Sequence, residues 1–327
     1  MSLKTIKVVM VGDCAWVGET IIHYAPDNIK YQHLKRTRDL YSKSFGIALK
    51  ILRSKGDIYH VHYGLQDHFL VKLLKQKPTL CHFHGSDLRY VINGPYGWIV
   101  KNNLRTSDKV IVAVPDILEI AKKYRSDAIY IPNPVNLDIF KPMRIKENSN
   151  GLNVLFASAL SFIKGAHLFF EQYARYQKAN PKSMLYIIKY GKDQNKMIKL
   201  LNSLNVKYKA LPPVLHQEMP SIYYNADVVV TDLQLGYLQM TSLEAMACYR
   251  PVIQYINKEL YDKINMPPPP VMNIDNEEKV LEALHELVVP SLRENIARAQ
   301  IEYIYKYHNP IEICRKIVEI YQELIME

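Results

Sequence analysis

Cysteine is scarce: the 327 residues hold four, Cys14, Cys81, Cys248 and Cys314, widely spaced and with no C-x-x-C pair. That excludes a disulfide framework and gives no zinc-ligand spacing, so the four read as reduced, mostly buried thiols. No run of about 18 or more apolar residues is present to span a bilayer, and the N-terminus passes from Lys4 and Lys7 into VVMVG without a signal-peptide cleavage pattern. A cytosolic protein is expected. No G-x-G-x-x-G occurs either. The opening IKVVMVGDCAWVGE reads as a short apolar strand and a loop with Gly12 and Gly18, the usual start of a doubly wound sheet, but a nicotinamide site is poorly supported. Internal repeats, low-complexity segments and nucleic-acid motifs are lacking as well.

What is present is ordinary globular composition, 48% hydrophobic and 23% charged, in a chain long enough for two domains. The net charge of +10 is uneven. Residues 1–130 carry 20 Lys+Arg against 11 Asp+Glu, a balance of +9, and the remainder carries 22 against 21, a balance of +1. Within the basic half, Lys30, Lys35, Arg36, Arg38, Lys43, Lys50, Arg53 and Lys55 face Asp39 alone and are interleaved with Tyr31, Tyr41, Phe45, Ile47 and Leu49. Such a surface suits an anionic membrane or a polyanionic acceptor, with a solvated helix face as the plainer alternative.

Strands and helices alternate along the chain, which argues for an α/β protein with parallel sheets and helices on both faces. DIYHVHYG (57–64) reads as a strand whose His60 and His62 point to one side. LVKLLKQ reads as a short helix, TLCHFHGSDLR (79–89) as a return to the sheet, and KVIVAVPDILEIAKKY as strand, turn and helix. AIYIPNPVNLDIFKP closes a first domain, 1–140, and the polar, aperiodic KPMRIKENSNG (141–151) is the expected linker. A second domain, 152–305, repeats the alternation through strands NVLFASAL, SMLYIIKYG, VKYKALPPV and DVVVTDLQ. Residues 291–325 have the periodicity of two amphipathic helices interrupted near YHNP, the last of them over 306–327.

The most informative run is GYLQMTSLEAMACYRPVI, residues 236–253. A loop at Gly236, candidate caps at Thr241 and Ser242, and the helix-forming LEAMA present free backbone N–H groups and a positive dipole end, for which a phosphate is the natural guest. Pro251 stops the helix, and VIQYI reads as a buried parallel strand.

This run resembles the donor-site signature of the retaining, nucleotide-sugar-dependent glycosyltransferases of family 4, in which two glutamates bracket seven residues and LEAMACGxPV surrounds the second. DIYHVHYG, HFHGSDLR, IPNPVNLDIF, the Lys164-Gly165 pair and the tail KYHNPIEICRKIVEIYQELI are similar to the family too, and in its order. The resemblance implies the GT-B fold: two facing Rossmann-like, doubly wound domains with a C-terminal helix crossing back to the first. It also implies a metal-independent hexosyltransferase that takes its sugar from a nucleoside diphosphate and passes it to a glycan or lipid-linked acceptor, with no cofactor.

By the same resemblance, Glu244 matches the second glutamate, which hydrogen-bonds the nucleotide's ribose. Lys164 matches the lysine that stabilises the departing diphosphate, and His84 the histidine beside the donor sugar. Gly165, Gly191, Val214, Gly236, Tyr237, Met240, Thr241 and Ser242 fall where the family holds the donor. Gly12, Trp16, Val17 and Gly18 fall on the acceptor side, with Asp87 orienting the HGSD loop. Two positions depart from the family. Its first glutamate falls on Gly236, and the arginine five residues before its lysine falls on Ala159. Arg89 is the candidate to replace that arginine, while Asp232 and Gln234 could supply the polar contacts Gly236 cannot.

Three alternatives stay open. His60, His62, His82 and His84 could join in a metal site, although no acidic cluster accompanies them. A GT-B epimerase or hydrolase would hold the same diphosphate but needs cleft carboxylates besides Asp87. A nucleotide-binding pseudoenzyme would explain Ala159 and Gly236.

Overall fold

In the computed structural model, residues 5–36, 46–144 and 151–326 are described. Arg38, Asp39, Tyr41, Lys43 and Phe45 of the basic stretch, and residues 145–150 of the expected linker, lie outside them. The chain divides into two compact units, one of residues 1–134 with 308–327 and the other of residues 135–307.

The first unit grows from IKVVMV, whose apolar side chains are buried on both faces as an inner parallel strand requires. Its strands are β1 (Ile6–Val11), β2 (Ile29–Leu34), β3 (Ile58–His62), β4 (Thr79–Phe83), β5 (Lys109–Val112) and β6 (Ile129–Tyr130), paired in the order β2-β1-β3-β4-β5-β6, all parallel. Helices α1 (Val17–His23), α2 (Ile47–Arg53), α3 (Gln66–Leu73), α4 (Ser86–Arg89), α5 (Gly97–Thr106) and α6 (Leu118–Lys122) make the crossovers. Helix α2 is amphipathic: Ile47 and Ile51 are buried while Lys50 and Arg53 face solvent.

HFHGSDLR departs from the sequence reading. The strand ends at Phe83, because the Asp87 carboxylate accepts from the backbone N–H groups of His84, Gly85 and Leu88 and winds SDLR into the single turn α4. Gly85 there has φ +121°, a conformation glycine adopts without a Cβ penalty.

The second unit is a Rossmann sheet in the order β12-β11-β10-β7-β8-β9, again all parallel. It comprises β7 (Asn153–Phe156), α7 (Ala166–Ala179), β8 (Met184–Ile188), α8 (Gln194–Ser203), β9 (Tyr208–Leu211), α9 (Met219–Tyr224), β10 (Val228–Val230), α10 (Met240–Ala247), β11 (Val252–Gln254), α11 (Lys258–Asp262), β12 (Met272–Asn273), α12 (Glu278–Glu286) and α13 (Pro290–Tyr307). One face of the sheet packs Phe156, Phe169, Phe170 and Tyr173. The other packs Met246, Val252 and Tyr261, and Val135 and Phe140 of VNLDIF are buried with them, so that segment packs in the second unit's core.

Strand β12 and helices α11 and α12 went unread in the sequence. The two-residue strand gives no periodic signal, and Pro267–Pro270 hides its approach. The last helix, α14 (Pro310–Met326), follows a break at His308–Asn309 and packs in the first unit, burying Ile317, Tyr321 and Leu324 near β3.

Candidate active site

Open parallel sheets bind ligands beyond the carboxyl ends of their strands, where the strand order reverses. In the second unit that point lies between β7 and β10, and the residues there are the ones the sequence singled out. After β7 the chain makes a turn, Phe162–Lys164, and enters α7 at Gly165, whose φ is +70°. After β10 it passes through Asp232 and Gln234 to Gly236.

Lys164 and Asp232 join across the switch point. The Lys164 Nζ donates to Asp232 Oδ2 at 2.8 Å and to Gln239 Oε1 at 2.8 Å. Asp232 is fully buried, and its Oδ1 accepts from the N–H groups of Gln234 (2.8 Å) and Leu235 (2.7 Å). Its carboxylate is therefore counterion and loop anchor. Gln234, with its amide turned to donate, reaches the carbonyls of Phe162 and Ile163 at 2.8 and 3.0 Å, tying the two loops together. An ammonium has three N–H groups, and Lys164 spends two, so one remains for an anion.

Gly236 explains its own lack of a side chain. Its φ is +79°, and a Cβ built there would lie 2.9 Å from Asn257 Cβ and 3.1 Å from Tyr255 Cε1. No glutamate fits this backbone as it stands. Gly191 is held similarly, at φ +121° with Leu160 backbone atoms 2.5 to 2.9 Å from its would-be Cβ.

Helix α10 begins at Met240 with Gln239 as its N-cap residue, two and three positions before the expected caps Thr241 and Ser242. Ser242 does not cap. Its hydroxyl is buried, donates to Gln254 Oε1 at 2.6 Å and lies in hydrogen-bond contact with Thr231 Oγ1 at 2.9 Å, fastening the helix to the sheet. Met240 and Thr241, in the first turn, are half-buried, and Tyr237 is buried, with no open ring face for a sugar. Val214 is half-buried in the loop before the turn His216–Glu218.

Glu244, 4% exposed, is more enclosed than its sequence context suggests. Its Oε1 lies 2.8 Å from His216 Nε2, and its Oε2 accepts from the Tyr223 hydroxyl at 2.9 Å. His216 and Tyr223 escaped the sequence reading because both lie more than five helical turns of chain before Glu244, where no spacing rule links them. Beside this region, past the ends of β10, β11 and β12, a cavity of about 590 Å³ is lined by Leu233, Gln234, Tyr255 and Asp275.

The first unit reverses its strand order between β1 and β3, and a cavity of about 480 Å³ opens there, lined by Gly12, Asp13, Lys35, Arg36, His62 and Tyr63. Trp16, 44% exposed with φ +62°, heads α1. Val17 is fully buried and Gly18 packs against His62, so these two shape the wall from behind. Asp13, overlooked in the sequence, accepts from Gly18 N at 2.8 Å and Glu19 N at 3.2 Å, and burial raises its pKa. Both cations of this cavity are paired, Lys35 with Glu19 and Arg36 with Asp67. Arg89, the candidate diphosphate partner, donates from Nε to Asp116 Oδ2 at 2.6 Å, so its charge is already balanced.

On β3 and β4 four imidazoles form a ladder. His62 pairs in register with His82, and the rings lie stacked or tilted at centroid separations of 4.1 to 5.4 Å. Desolvation holds all four well below the ordinary histidine range, His60 at about 3, so they are neutral. His60, His62 and His82 each place a ring nitrogen within 4.8 Å of the others, a separation a metal could bridge. The nitrogens of His60 and His62 are all engaged, however: His60 with Tyr321 (2.6 Å) and His82 (3.2 Å), His62 with His84 (2.8 Å) and Met10 Sδ (3.0 Å). An ion would have to break these contacts, with no carboxylate in the group to balance its charge.

Residues 151–265 match the family described as glycosyl transferases group 1. No curated protein sequence matches significantly. Among solved structures, sucrose-phosphate synthase from Thermosynechococcus elongatus superposes with a TM-score of 0.75 at 14% identity, covering 98% of this chain and 99% of that one. The Anabaena protein HepE, solved with UDP and glucose, gives 0.71 at 13% identity over 98% and 100% of the two chains. A glycosyltransferase from Rickettsia africae gives 0.68 at 15% over 99% of each. At such identities the likeness is one of fold, and that fold is GT-B. Residues 151–265 are thus similar to the group 1 glycosyltransferases, and they are set in a chain of GT-B fold.

Proposed function

We propose that this protein is a retaining, metal-independent hexosyltransferase that uses a nucleoside-diphosphate sugar and passes the sugar to a hydroxyl of a glycan or lipid-linked acceptor. The observation that carries the reading is the Lys164–Asp232–Gln239 cluster at the switch point of the second unit, beside the start of α10. Breaking a sugar–phosphate bond piles negative charge on the diphosphate, and a cation held in place beforehand lowers that barrier without reorganising. Lys164 is such a cation, and the first turn of α10 adds backbone N–H groups of the same sign. Glu244 then orders the nucleotide end, directly or through His216. A uridine nucleotide is the first donor to try, since HepE was solved with UDP-glucose. By the family resemblance His84 serves the donor sugar, and it need not act as a base if the donor's own phosphate takes the acceptor's proton. The basic first unit favours an anionic acceptor or a peripheral position on an anionic membrane surface.

A panel of nucleotide sugars, offered with glycans and with membrane lipids as acceptors, tests the proposal. Turnover with retained anomeric configuration is expected; binding without transfer would favour the pseudoenzyme reading, and release of free sugar or an epimer the hydrolase or epimerase. Glu244→Ala should lose nucleotide affinity, whereas Lys164→Ala should chiefly lower kcat, roughly 100-fold or more by analogy with removing one oxyanion donor. Equal and negligible effects of both would refute the placement of the site.

A further inference from the structure

The histidine ladder contains more information than the stacking of its rings, because one of its contacts ends on a group that cannot play both hydrogen-bond roles. A thioether sulfur has no hydrogen to give. Met10 Sδ, 3.0 Å from His62 Nε2, can only accept, so His62 carries its proton on Nε2. A neutral imidazole has one N–H, which leaves His62 Nδ1 with a lone pair. That lone pair faces His84 Nε2 at 2.8 Å, so His84 must donate and must be protonated on Nε2. Its Nδ1 is then an acceptor, and it is buried with no partner.

We infer that Met10 and His62 are positioning residues that lock His84 as the neutral Nε2–H tautomer, so that this histidine serves the site with a fixed dipole and gives up no proton from its ring. This deepens the proposed function, on which the role of His84 rests. The mutual desolvation of the four rings points the same way, since it keeps any of them from becoming an imidazolium. The backbone of His84 is fixed independently by Asp87, so the ring contact can be altered without unwinding the loop.

The test is a 15N-labelled histidine spectrum of the intact protein, which distinguishes protonated from lone-pair ring nitrogens, run beside steady-state kinetics. Wild type should show His84 protonated on Nε2 only. His62→Phe keeps a ring but removes the acceptor, and should give a mixture of His84 tautomers with kcat lowered roughly tenfold, the worth of one hydrogen bond, and KM little changed. His62→Asn, which can place an amide oxygen where Nδ1 was, should restore the single tautomer and much of kcat. Finding His84 protonated on Nδ1 in wild type, or unaltered by His62→Phe, would overturn the inference. Because the spectrum needs no turnover, it can succeed or fail whatever becomes of the glycosyl-transfer reading.

Discussion

Replacing Gly236 by alanine would set a methyl group into a space the second unit has already filled, and the cost can be worked out in parts. The backbone part comes from φ +79°, which an alanine occupies at about 1 kcal/mol more than glycine. The packing part comes from a Cβ 2.9 Å from Asn257 Cβ and 3.1 Å from the Tyr255 ring. Neither neighbour can retreat easily. Asn257 caps α11 by accepting from Glu259 N, and its own N–H donates to the Gly236 carbonyl. Overpacking of this kind costs roughly 1–3 kcal/mol. Gly236→Ala should then destabilise the second unit by about 3 kcal/mol, or a fall in Tm of roughly 6–12 °C for a unit of this size.

Denaturant and thermal unfolding, followed by a probe confined to the second unit, would measure it. A double-mutant cycle with Asn257→Gly separates the parts: once the cost of losing the cap is subtracted, the clash should shrink and the backbone part of about 1 kcal/mol should persist. If Gly236→Ala or Gly236→Glu unfolds within about 0.5 kcal/mol of wild type, the residue is not excluded by packing, and the absence of a glutamate there would need another cause.

Two further outcomes follow from the buried carboxylates. Asp232→Ala removes the counterion of a part-buried Lys164 and the acceptor for two loop N–H groups, and should cost about 3 kcal/mol in unfolding experiments; a loss below about 1 kcal/mol would mean that Lys164 relaxes freely into solvent. Asp87 has its pKa pushed up to about 6 by burial, against the pull of the N–H groups of Gly64, Gly85, His84 and Leu88. The folded state therefore holds this proton after the unfolded chain has released it, so the contribution is full below about pH 4 and is lost as pH rises through 6, by about 3 kcal/mol. The slope should vanish in Asp87→Asn, and an Asp87 carboxyl that titrates near 4 in a 13C spectrum would refute it.

The sequence by itself determined the class of this protein. Alternating apolar strands and amphipathic helices leave a doubly wound parallel fold as the economical solution, and the short runs at HFHGSDLR, Lys164-Gly165 and LEAMACYRPV carry the family resemblance in their local order. Local spacing was enough to mark the start of α10, and the family resemblance marked Lys164, because both signals lie within a few residues of chain. It could not show that Asp232 is the counterion of Lys164, that Glu244 is closed over by His216 and Tyr223, or that Arg89 is taken by Asp116. Those pairs join residues from 21 to 68 positions apart in the chain. The tertiary structure alone decided them, because strand order determines which loops meet, and burial then makes each partner obligatory. The bare position at Gly236 belongs with them: the sequence marks it as a departure, and only the packing of Asn257 and Tyr255 against it gives the reason.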